Sequence, residues 1–142
     1  MKNLALCMLI ALSISCGNSK VVTTDVQDRP LDAKKVVTEM GYEQKTDPYT
    51  IQSAEVKGTF LHLQVEYSGG CEGHTFELFT DGLIMKSLPP KQRFYLRHYA
   101  HDDTCESMIQ EDIVFDLDGI VSEGNSLVII LEGYKGDLRM NF

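Results

Sequence analysis

The stretch Thr59–Tyr67, TFLHLQVEY, decides the fold. Successive side chains of an extended chain point to opposite sides, so Leu61, Leu63, Val65 and Tyr67 share one face. Phe60, His62, Gln64 and Glu66 share the other. The same period runs outward from there. In His74–Thr80, Phe76 and Leu78 pair on one side, and Asp81-Gly82 comes next as a turn signal. Arg93–Tyr99 sets Phe94, Leu96 and His98 against Arg93, Tyr95, Arg97 and Tyr99. Ile113, Phe115 and Leu117 align, and Asp118-Gly119 and Glu123-Gly124-Asn125 punctuate the next connection. Leu127–Leu131, LVIIL, is apolar on both faces and suits a central strand. Gly133–Gly136 reads as a turn before a last strand, Asp137–Phe142, and Pro89-Pro90 as a break or sheet edge. About seven short strands predict an all-β fold, an antiparallel β-sandwich or a small barrel. After Tyr49 no periodic stretch of about a dozen residues offers the helical crossover a parallel sheet requires. Leu31–Met40 fits either a weak helix capped by Gly41 or a strand through Val36-Val37-Thr38.

The chain has 142 residues, 43% apolar, which supports one domain and argues against disorder throughout. Its formal charge of −8 leaves no cationic surplus to neutralise phosphates, which speaks against nucleic acid as a partner.

The N-terminus, MKNLALCMLIALSISCGNSK, has Lys2 followed by the apolar run Leu4–Ile14. That run is shorter than the roughly 20 residues of a membrane span and has the proportions of a signal-peptide core. Ser13-Ile14-Ser15-Cys16 resembles the lipobox of bacterial lipoproteins, although Ser13 stands where Leu is usual. The resemblance implies cleavage before Cys16 and acylation of its thiol. Residues 1–15 are then a signal peptide, 16–30 the lipidated N-terminus and tether, and 31–142 the β domain. The expected localisation is exported and anchored in a membrane through this lipid. Gly17 lacks the acidic character of inner-membrane retention signals, which points to the outer membrane.

Removing residues 1–15 takes one lysine, leaving 127 residues and a charge of −9. Cys7 leaves with the leader and Cys16 is acylated, so Cys71 and Cys105 remain and have one intramolecular pairing. An exported chain meets the conditions in which disulfides persist.

Ser68-Gly69-Gly70-Cys71-Glu72-Gly73-His74 and His98-Tyr99-Ala100-His101-Asp102-Asp103-Thr104-Cys105 hold both of these cysteines and three of the four histidines. Besides the disulfide, Cys71-x-x-His74 and His101-x-x-x-Cys105 have spacings that suit tetrahedral zinc, and His74, His98 and His101 could take copper beside a formed disulfide. Neither metal is the primary expectation. Cys71 with His74 or His101 is a weak catalytic pair, and Asp102-Asp103 reads as a solvated loop. Asp116-x-Asp118-Gly119 starts like a calcium loop but lacks its later ligands, so a plain turn is expected. His62 is expected on an exposed strand face.

Tyr67-Ser68-Gly69-Gly70-Cys71, His74 and Phe76, then Pro90, Leu96, His98, Asp103 and Cys105, ending in Phe115-Asp116-Leu117, resemble an uncharacterised domain of exported bacterial lipoproteins. The resemblance covers about Tyr49 to Leu131, favours His101 as the second histidine of the pattern, and implies a disulfide-closed β domain without a known reaction. The expected role is a non-catalytic binding or structural module of the envelope, with an envelope protein or glycan as partner. A metal-binding protein using Cys71, His74, His101 and Cys105 is the alternative, and a hydrolase of envelope polymers ranks last.

Overall fold

The computed structural model describes residues 30–39, 45–120 and 125–142. The residues read as a leader (1–15), Cys16, Gly41 and Glu123-Gly124 lie outside them. The described residues form nine strands and no helix: β1 Lys34–Lys35, β2 Val37–Thr38, β3 Thr50–Lys57, β4 Phe60–Gly69, β5 Thr75–Met85, β6 Lys91–Tyr99, β7 Ser107–Asp116, β8 Ser126–Leu131 and β9 Leu138–Asn141. They make two sheets, ordered β1-β7-β4-β3 and β2-β5-β6-β8-β9.

The core lies between the sheets and is built from the faces that alternation assigns. Leu61, Leu63, Val65 and Tyr67 of β4 and Ile113 and Phe115 of β7, continued by Leu117, come from one layer. Phe76 and Leu78 of β5, Phe94 and Leu96 of β6, and Leu127, Ile129 and Leu131 of β8 come from the other. Phe76, Phe94 and Phe115 are fully buried, and each large side chain of this kind contributes about 1.5–3 kcal/mol by leaving water.

Two alternatives are settled and two expectations change. The sheets are open layers, so the sandwich stands and the barrel does not. They are also mixed rather than antiparallel: β6 pairs with β8 in parallel, as do β1 with β7 and β2 with β5. No helix is needed for this, because the chain passes from β6 to β8 through β7 of the opposite layer. Asp81-Gly82 is not a turn but a bulge within β5, where the register shifts between Thr80 and Ile84. Gly82 takes φ +72°, and Thr80 Oγ1 and Asp81 Oδ1 accept the N–H groups of Gly82 and Leu83. Residues 34–38 form no helix; they cross from one sheet to the other as β1 and β2. β8 lies one strand from the edge, with Val128 and Ile130 half-buried.

Asp116, the last residue of β7, is buried. Its Oδ1 accepts the Asp118 N–H at 2.8 Å and its Oδ2 meets Lys35 Nζ at 2.6 Å. The carboxylate therefore ties β1 to a plain turn.

Candidate functional site

β4 ends at Gly69 opposite Ser107 of β7, and β5 begins at Thr75 opposite Tyr99 of β6. These registers bring the 70–74 and 100–106 loops together at one end of the sandwich. Cys71 and Cys105 join them as a disulfide, with Cα atoms 5.9 Å apart.

Asp103 organises the two loops. Its Oδ2 accepts the N–H groups of Gly70, Cys71 and Glu72 at 2.9, 3.0 and 3.0 Å, and its Oδ1 accepts that of Cys105 at 2.8 Å. Three successive amides converging on one oxygen make an anion-binding nest, here filled by the chain's own carboxylate. Its side chain is shielded from solvent. The N–H donors of Glu72 and Cys105, foremost among several, hold its carboxyl well below the usual carboxylate range. The turn that aims Asp103 runs from Ala100, whose carbonyl accepts the Asp103 N–H at 3.0 Å, through His101 and Asp102 at φ 52° and 60°. Two left-handed residues in sequence give a type I′ turn, a conformation Asp and His tolerate better than most.

A chain of rings extends from Asp103 into the core. Oδ2 lies 3.1 Å from His74 Nε2, His74 Nδ1 is 2.7 Å from His98 Nε2, and His98 Nδ1 is 3.1 Å from the Pro48 carbonyl. Both outer nitrogens face acceptors, so both must carry protons. The inner pair shares one more. Three protons on two rings make one imidazolium, an assignment that rests on the network. The charge balances Asp103. Burial is the main cause that lowers the His98 pKa, with His74 adding to it.

Aromatic packing positions the pair. His98 falls on the apolar face of β6, opposite Phe76, with ring centroids 4.4 Å apart and planes 5° from parallel. Tyr67 stacks on His74 at 4.4 Å and donates to Glu111 Oε2 at 2.8 Å; burial, then this carboxylate, push its hydroxyl up to about 12. Gly69 makes room. A Cβ there would overlap the His74 imidazole and sit 3.0 Å from Asp103 Oδ2. Residues 46–48 strap the end of β6: the His98 N–H donates to Thr46 Oγ1 at 2.9 Å and the Ala100 N–H to Asp47 Oδ2 at 2.7 Å.

The two cysteines pair as expected, but the four residues of the zinc pattern do not come together as ligands. Among the described residues the group with three potential ligand atoms within 4.8 Å of one another is Cys71, Asp103 and Cys105, and its sulfurs are joined to each other. His101 is exposed and bonds Thr75 Oγ1 at 3.0 Å. Of the histidines considered for copper, His74 and His98 meet in the core and His101 stands apart. His98, rather than His101, is therefore the partner of His74. Asp103, read as a solvated loop residue, is the centre of the cluster, while Asp102 is exposed as expected. The signals for both were present: His98 lies among apolar residues at strand spacing, and Asp103 stands two before Cys105, where a carboxylate accepts the N–H two residues on. His62 is half-buried rather than exposed.

A concavity of about 210 Å³ lies on the other face of β6, lined by Thr46, Tyr49, Phe79, Tyr95, Leu96, Arg97, Glu132 and Gly133. The Arg97 guanidinium lies 4.2 Å from the Phe79 ring centroid.

No protein-family model and no curated protein matches the sequence. Solved structures share the fold. A NigD-like immunity protein from Bacteroides caccae matches with a TM-score of 0.53 at 18% identity, over 70% of this chain and 50% of its own. A protein from Parabacteroides distasonis described as toxin-related gives 0.53 at 17%, over 78% and 60%. One of unknown function from Bacteroides vulgatus gives 0.53 at 13%, over 78% and 56%. The chain thus spans between half and 60% of the length of these structures. At such identities the likeness is one of fold.

Proposed function

We propose that the chain is an exported lipoprotein, acylated at Cys16, whose β domain is a non-catalytic binding module of the bacterial envelope. The observation that carries the second half is the state of the chemistry-bearing cluster. Cys71, Cys105, His74, His98 and Asp103 are bonded to one another or to backbone, in a knot that closes two loops. Groups so engaged hold a surface in shape. The lipobox-like Ser13-Ile14-Ser15-Cys16 supports the first half, with the outer membrane as the destination. The concavity around Tyr95 and Arg97, with aromatic walls and both charges, suits an envelope protein or glycan.

Labelling growing cells with a palmitate analogue tests the anchor: the chain takes up label and Cys16→Ala does not. Label absent from both overturns the anchor. A turnover found in a screen of envelope substrates and lost in His74→Ala overturns the non-catalytic reading.

A further inference from the structure

The end of the sandwich opposite the disulfide carries a different surface. β5 and β6 meet there through Met85 and Lys91, and the hairpin tip exposes Leu83 (62%), Ile84 (39%), Met85 (38%) and Leu88 (102%). Ile84, Leu88 and Pro90 share an open hollow with Lys86 and Ser87. Because β8 begins beside Lys91 and pairs with β9, Phe142, 58% exposed, lies at this same end.

Cations flank this tip. From Gly82 to Gln92, the stretch that forms this tip, the sequence holds Lys86 and Lys91 and no Asp or Glu, in a chain with 21 acidic residues. Asp47, Glu72, Asp102, Asp103 and Glu106 gather at the disulfide end. An apolar tip flanked by lysines, on an otherwise acidic body, matches a lipid interface: acyl boundary for the leucine, phosphates for the ammonium groups.

We propose that the β5–β6 tip docks on the phospholipid surface to which the chain is tethered, Leu88 entering the interface and Lys86 and Lys91 lying among the headgroup phosphates. This rests on the anchored reading above. The reach is sufficient. Residues 16–29 span up to about 50 Å when extended, and β5, the longest strand at 11 residues, about 36 Å. The docked domain turns its disulfide end away from the membrane.

The chain has no Trp, so a single introduced indole reports without background. Leu88→Trp and, at the far end, Glu106→Trp are prepared in the full lipidated chain. Each is reconstituted in phosphatidylcholine–phosphatidylglycerol vesicles with brominated acyl chains. The reporter at 88 shifts to the blue and is quenched; that at 106 does neither. In the unlipidated Cys16→Ser chain, partition into the same vesicles falls about fivefold for each of Lys86→Gln and Lys91→Gln. It falls about tenfold for Leu88→Ser. Flotation reads the anchor separately. A chain that floats while its reporter at 88 stays water-like and unquenched overturns the docking and leaves the anchor standing. Docking on an envelope protein instead gives that same result. A Cys16→Ser chain that also carries Leu88→Ser and still floats as well as the lipidated chain overturns the anchor.

Discussion

The two ends of the sandwich invert each other. At the disulfide end, polar and sulfur-bearing side chains turn inward and satisfy one another, Asp103 serving four backbone amides and His74. At the hairpin end, apolar side chains that could have joined the core stand in solvent. A domain of this size tolerates exposed leucines singly, but a cluster at one tip with cations beside it marks a contact surface. The difference teaches where stability and interaction reside: the knot maintains the fold and the tip is available.

Breaking the knot should cost most. Replacing both Cys71 and Cys105 by Ala frees a loop with a sequence separation of 34, and about 4 kcal/mol should be lost in urea unfolding. A transition unchanged by that double variant would remove the disulfide from the account of stability. Next comes Gly69→Ala, which forces a methyl against His74 and Asp103. Overpacking of this kind costs about 1–3 kcal/mol, and the His74 ring resonances should move with it. Wild-type chemical shifts in a variant of wild-type stability would show that the gap is not needed.

The pH profile sharpens the contrast because its two steps come from the knot. His98 has a lowered pKa, chiefly from burial, so the unfolded chain takes up its proton first. Stability is present above the ordinary histidine value of about 6.5 and is lost as pH falls through the folded one. Asp103 is also lowered, through its N–H donors, so a second loss begins below about 3.9, where the unfolded carboxyl protonates. Thermal melts from pH 7 to pH 3 read both, and His98→Gln should flatten the first. A first step that persists in His98→Gln would assign it elsewhere. The smallest effect belongs to the tip. Leu88→Ser should change stability by no more than about 0.5 kcal/mol, since the side chain is already in water. A larger loss would make Leu88 part of the core.

Much of the fold was legible because burial in a strand leaves a period of two. Every residue placed on the apolar faces of β4, β5 and β6 is buried, His98 included. What the alternation could not convey is which strands become neighbours. The parallel β6–β8 pair depends on β7 lying in the other layer, a relation between distant segments. Asp81-Gly82 misled for a related reason: Gly at φ +72° serves a bulge as well as a turn, and only the partner strand distinguishes the two.

At the site, the cysteine pair came from counting, while the histidines did not. His98 and His101 are three residues apart, yet one ends on the core face of a strand and the other in a turn after it. Residue type and spacing suit either. By itself the sequence determined the β class and the buried faces and put Cys71 and Cys105 forward as a pair, because composition and short-range period report on burial and chemistry along the chain. The tertiary structure alone decided that Asp103 fills a nest of amides 31–33 residues away and that His74 meets His98 in the core. It also decided that the apolar tip and the acidic knot occupy opposite ends. Those are distances through space, set by strand register.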